Sequence, residues 1–159
     1  MLRHLVLAAV AGAGLAAVAP AARAQDCTIT VGSVVSLTGP AGRFGQAAAK
    51  SIELAFRDLN DAGPVAGCKL VADVRDAQSQ GTVAVDAARQ LADIKKVPLI
   101  IGGLISSVSI PIVTSVTGPA GIVQISPASS SPTLTRLAEE GKTAGVFFRT
   151  ITSDALQGT

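Results

Sequence analysis

The sequence contains no tryptophan and no tyrosine, only four phenylalanines, one histidine and one methionine. The histidine and methionine are His4 and Met1, so the chain from residue 5 onward has neither. That inventory excludes imidazole general acid or base catalysis, Ser-His-Asp and Cys-His constellations, and histidine-ligated zinc. Charge is also sparse: 15% of the 159 residues are charged, with a formal net charge of +2. This balance argues against a nucleic-acid binder, and 48% hydrophobic residues argue against a disordered chain.

Arg3 and His4 precede an apolar run from Leu5 to Ala22 that closes on Ala22-Arg23-Ala24. A charged start, an apolar stretch and a small-residue A-x-A site are the layout of a secretory signal peptide. The run is Ala- and Gly-rich and broken by Pro20, unlike a transmembrane anchor. The expectation is therefore a signal peptide at residues 1–24 and an exported chain at 25–159, with no stable membrane insertion after cleavage. Cys27 follows Ala24-Gln25-Asp26, not the Leu and small residues of a lipoprotein signal, so no lipid anchor is expected. Removing Arg3 and Arg23 from the thirteen basic residues leaves eleven, against eleven acidic. The basic character belongs largely to the signal.

Cys27 and Cys68 are the two cysteines, in a chain addressed to an oxidising compartment where such pairs are usually bridged. Each stands just ahead of a predicted strand. Parallel neighbouring strands would bring the two thiols within bridging reach.

The remainder alternates between two periods. Thr28 to Leu37 is rich in β-branched residues and stops at Thr38-Gly39-Pro40, which predicts a buried strand ending in a turn. After the glycine-punctuated loop TGPAGRFG, apolar Ala48, Ile52, Ala55, Phe56 and Leu59 recur at helical spacing and predict the inner face of a helix over Gln46 to Leu59. Lys69 to Val74 predicts a second strand, and Thr82 to Ala92 a helix with Ala84, Ala87, Ala88 and Leu91 inward. Val97 to Ile101 predicts a third strand, and Val108 to Val116 a short helix despite Pro111. Gly121 to Ser126 predicts a fourth strand, Leu134 to Glu139 a helical turn and Gly145 to Arg149 a fifth strand. The fold class is α/β: a Rossmann-like parallel sheet with helices on both faces, joined by right-handed crossovers. The chain stops at Ser153-Asp154-Ala155-Leu156-Gln157-Gly158-Thr159, a helix start with no helix after it, so a truncated protein is expected.

In such a sheet, ligands bind beyond the carboxyl ends of the strands, where strand order reverses. The three loops expected there are Thr38 to Gly45, Gly102 to Ser107 and Pro127 to Ser131. They are rich in glycine and hydroxyls and poor in ionisable groups, which suits holding a small polar ligand better than proton transfer or metal binding. Ser106 and Ser107 open the third helix, where free amides and hydroxyls converge on an anion, or where a serine serves only as an N-cap. Ala128 offers a carbonyl and Ser129, Ser130 and Ser131 offer hydroxyls. Gly39, Gly42 and Gly45 do not form the G-x-G-x-x-G of a dinucleotide site. Phe44 is read either as a core residue or as an apolar wall beside the ligand.

The segments VGSVVSLTGPAGRFGQ, DLNDAG, GCKLVADVRDAQSQ, IIGGLISSVS and ISPASSSPTLT, in this order, resemble the N-terminal lobe of type I periplasmic solute-binding proteins. Within that class the resemblance is to the branched-chain amino-acid (leucine/isoleucine/valine) binding proteins of ABC transporters. It implies one lobe, at residues 25–159, of a two-lobed protein whose second lobe is absent from these residues. Such proteins close on their ligand about a hinge, a motion for which periplasmic binding proteins are a standing example. It also implies a periplasmic, non-enzymatic protein without cofactor or metal, whose partners are a small amino-acid ligand and a membrane permease. By the same resemblance Ser106 takes the α-carboxylate, while the Ala128 carbonyl and Ser130 hydroxyl take the α-ammonium. Ser107 and Ser129 are implied secondary contacts, and Phe44 stands where the family commonly has Tyr. Two alternatives stay open: a sensor domain of the same fold for amides or aromatic acids, and an exported enzyme, disfavoured by the lack of histidine and clustered carboxylates.

Overall fold

The computed structural model describes residues 27–157, so the expected signal peptide lies outside the described residues. Five parallel strands run β1 (Thr28–Val35), β2 (Lys69–Asp76), β3 (Leu99–Gly102), β4 (Val123–Ser126) and β5 (Phe147–Arg149). Their spatial order is β2-β1-β3-β4-β5. The helices are α1 (Gly42–Ala62), α2 (Gly81–Arg89), α3 (Ser106–Ile112), α4 (Gly118–Ala120) and α5 (Pro132–Glu139). A π turn at Gln90–Ile94 extends α2, and another at Val113–Thr117 joins α3 to α4. Pro111 lies inside α3, one residue before its end, with its ring against α2's first residue, Gly81.

The core forms on the face of the sheet that α2 and α3 cover. Val34 and Ile100 from the strands meet Ala84, Ala88 and Leu91 of the second helix and Val108 and Ile112 of the third. Leu91 and Ile112 are fully buried, each contributing roughly 1.5 to 3 kcal/mol by leaving water. The inward positions expected for α2 are all buried.

Two expectations need correction. The first helix begins at Gly42, so half of the anticipated glycine loop is helical. This start is possible because Gly45 lies against β1's end: a Cβ there would stand 1.8 Å from the Ser36 carbonyl oxygen. The apolar stripe assigned to α1 is only partly inward, with Ile52 buried, Ala48 and Phe56 half-buried, and Ala55 and Leu59 exposed. The sheet carries helices on both faces, as expected, but unevenly. The step from β1 to β2 runs opposite to every later step, so right-handed crossovers leave α1, among the described residues, alone on its face, packed on β1 and β2. Ser33, Ile101, Ile125 and Phe148 are successive register partners and share a face, yet Ile101 and Ile125 are half-buried and Phe148 is exposed.

Cys27 and Cys68 form a disulfide with Cα atoms 4.5 Å apart. Parallel register sets Thr28 beside Lys69, which aligns the residues preceding each strand.

Candidate functional site

The reversal of strand order falls between β1 and β3, so the loops after those strands and after β4 share one edge of the sheet. Each is held by a different polar device. The loop after β1 is tied to the loop after β2 through Asp76. Its carboxylate accepts from the Leu37, Thr38 and Gln78 amides at 2.8, 3.2 and 2.8 Å, and from the Thr38 hydroxyl at 2.6 Å. Burial disfavours the Asp76 charge, but these four donors outweigh it and hold the carboxyl below its ordinary range. Ser79 adds a second tie, accepting from the Ala41 amide and donating to the Thr38 carbonyl.

The loops after β3 and β4 are joined beneath the surface. Gly102 and Gly103 both have positive φ, and a Cβ on Gly103 would stand 2.0 Å from the Ser109 Oγ. That closeness lets the Gly103 carbonyl collect the hydroxyls of Ser109, Ser126 and Ser129 at 2.5, 2.5 and 2.8 Å. Ser109 and Ser129 also touch each other at 2.6 Å, and all three serines are fully buried. Ser129, a residue expected near the ligand, has its side chain directed into this network.

Above the network, Ser106 and Ser107 open α3, and their backbone amides take no partner among the described residues. The Ser106 hydroxyl accepts from the Ser131 amide at 3.1 Å, which ties the β3 loop to the β4 loop and leaves its proton free to donate. Ser131 itself caps α5, accepting from the Thr133 amide. Neither Ser106 nor Ser107 caps its own helix with its side chain.

The carbonyls of the β4 loop are nearly all spoken for by the last residue of β5 and the segment after it. The Thr150 amide reaches Ser126, and the Thr150 hydroxyl reaches Pro127. Arg149 reaches Ser129 and Ser131 at 3.3 and 3.1 Å, and the Asp154 amide reaches Ser130 at 2.9 Å. Ala128 alone of residues 126–131 has a carbonyl without a partner among the described residues, and it is exposed. The Ser130 hydroxyl donates to the Asp154 carboxylate at 2.9 Å. Phe44 sits in the first turn of α1, 73% exposed, so it is not a core residue.

A sequence profile of the periplasmic binding protein family matches residues 28–159. The chain belongs to that family. Leu/Ile/Val-binding protein homolog 3 of Brucella melitensis is 31% identical over 136 residues, which make up 86% of this chain and 35% of that relative. The branched-chain amino acid transporter substrate binding protein LivJ of Streptococcus pneumoniae, solved with isoleucine, superposes with a TM-score of 0.74 at 25% identity. That superposition covers 82% of this chain and 36% of LivJ. A Rhodopseudomonas palustris ABC-transporter solute binding protein, solved with 3,4-dihydroxybenzoic acid, shares the fold with a TM-score of 0.70 at 23% identity, covering 80% of this chain and 33% of its own. The periplasmic binding protein chain described here thus spans about a third of the length of the relatives it matches.

Sequence reasoning reached the serines of this edge but missed the residues that hold them. Ser109 and Ser126 read as helix and strand positions, and nothing in their spacing points to a shared carbonyl. Arg149 had a faint signal, a charge closing an otherwise apolar strand. Asp76 likewise ends a strand whose neighbour runs into a glycine loop. Asp154 read only as a helix start.

Proposed function

We propose that this chain is the first lobe of the substrate-binding component of an ABC importer. The protein captures an amino acid, branched-chain by preference, in the periplasm after residues 1–24 have directed export, and delivers it to a membrane permease. It binds without catalysing a reaction.

The observation that carries this reading is the carbonyl of Ala128, without a partner among the described residues, in a loop whose other carbonyls are all occupied. An acceptor left open in this loop suits an ammonium group, which brings three donors and no acceptor. The Ser106 and Ser107 amides with the Ser106 hydroxyl supply the opposite chemistry, donors for a carboxylate. Donors on one loop and an acceptor on the next match the two ends of an α-amino acid. Phe44 offers exposed apolar surface at the start of α1, after the β1 loop of the same edge. A second lobe would complete the site by excluding water and adding bonds, so residues 25–159 alone should bind weakly.

Calorimetric titration of the two-lobed protein, without residues 1–24, tests the reading. Micromolar or tighter binding of leucine, isoleucine or valine supports it. Heat with amides or aromatic acids, and none with amino acids, would replace the ligand class, and failure to restore uptake in cells lacking the protein would remove the transport role.

A further inference from the structure

Ser130 and Asp154 are joined twice, through the Asp154 amide to the Ser130 carbonyl at 2.9 Å and through the Ser130 hydroxyl to Asp154 Oδ2 at 2.9 Å. A serine hydroxyl has one proton. Once that proton is given to a carboxylate, the oxygen faces any ligand as an acceptor only. Asp154 is itself held in place, because its Oδ1 accepts from Gln157 Nε2 at 2.9 Å and its backbone opens a short 3-10 turn. The carboxylate also brings negative charge to the loop that carries the Ala128 carbonyl, two residues before Ser130.

We infer that Asp154 is a specificity-determining positioning residue: by fixing the Ser130 hydroxyl as an acceptor it makes this end of the site select ligands carrying a protonated amine over acids that lack one. The inference rests on the amino-acid reading above and deepens it. A ligand carboxylate, phenol oxygen or amide carbonyl placed at Ser130 would find no proton there and would face the Asp154 charge. An ammonium finds the Ser130 oxygen and the Ala128 carbonyl together.

The test uses the two-lobed protein and two probes of one carbon skeleton, leucine and 4-methylpentanoate, which is leucine without its amine. The readout is the ratio of their dissociation constants, which a merely structural defect would not change. The wild type should prefer leucine, and Asp154→Ala should cut that preference by about tenfold, the worth of a charge-assisted hydrogen bond. Asp154→Asn keeps an acceptor for the hydroxyl and loses the charge, so it should fall between the two and serves if the alanine variant does not fold. In a Ser130→Ala background, Asp154→Ala should change the ratio little further. An unchanged ratio in both Asp154 variants of a leucine-binding protein overturns the inference and leaves the amino-acid reading standing, as does an undiminished Asp154 effect without the Ser130 hydroxyl. Wild-type binding of 4-methylpentanoate as tightly as leucine, or of neither, overturns both.

Discussion

Ser106 and Ser130 carry the same hydroxyl in opposite hydrogen-bonding states. The Ser106 oxygen accepts from the Ser131 amide and keeps its proton, whereas the Ser130 oxygen has given its proton to Asp154. One keeps a proton to donate and the other has only lone pairs to offer. Neighbouring loops of one sheet edge thereby present both polarities without any ionisable group of their own.

Ser106→Ala removes the donor and also leaves the Ser131 amide without its acceptor. Amino-acid affinity of the two-lobed protein should weaken by about 1 to 3 kcal/mol. Calorimetry giving an unchanged dissociation constant would take Ser106 out of the site.

Ser129 should behave in the reverse way. Its hydroxyl is fully buried against the Gly103 carbonyl and Ser109, so Ser129→Ala should lower unfolding free energy by about 1 kcal/mol. Ligand affinity at fixed temperature should barely move. A large affinity loss at unchanged melting temperature would show that Ser129 meets the ligand.

Asp76 makes the loop after β1 sensitive to acid. A carboxyl whose folded pKa lies below its unfolded value stabilises the fold above the unfolded pKa, near 3.9, and that contribution is lost as pH falls through the lower folded value. Asp76→Asn should destabilise the protein at pH 7 by about 1 to 3 kcal/mol and flatten the stability loss below about pH 4. Urea melts at pH 7 and pH 3 would measure both, and an equal acid loss in the variant would assign that loss to other groups.

The Cys27–Cys68 bridge closes a loop between residues 41 apart in sequence. Reduction, or Cys27→Ser with Cys68→Ser, should cost about 3 to 4 kcal/mol in the chain-entropy model. Two alkylatable thiols in protein exported to an oxidising compartment would contradict the bridge.

Gly45 admits no side chain, since a Cβ would fall 1.8 Å from the Ser36 carbonyl oxygen. Gly45→Ala should force α1 away from β1 and cost about 3 kcal/mol or more. A melting temperature within a degree of wild type would mean that the helix start shifts freely.

Much of this molecule was legible before any coordinates. The order of elements followed from β-branched runs alternating with alanine-rich helical spacing, because the period of apolar residues is set by local backbone geometry. The cysteine pairing followed from compartment and from two strand starts. The position of the serine-rich loops at the carboxyl edge of the sheet followed from the order of strands and helices. Coverage of the sheet was not legible, since which face a helix takes depends on the direction in which each crossover steps. Ala55 and Leu59 fit a helical stripe, but only packing could decide that α1 has one face of the sheet to itself and leaves them exposed. Nor could spacing separate Ser129, turned down to Gly103, from Ser130, turned toward Asp154, because adjacent residues in a loop have no fixed period. The sequence by itself determined the elements, their order and the hydroxyl-rich chemistry of three loops. Tertiary structure alone decided which carbonyl stayed open and which hydroxyl kept its proton, because those depend on Arg149, Thr150 and Asp154, which lie about twenty residues away along the chain and return to the loop only through the pairing of β4 with β5.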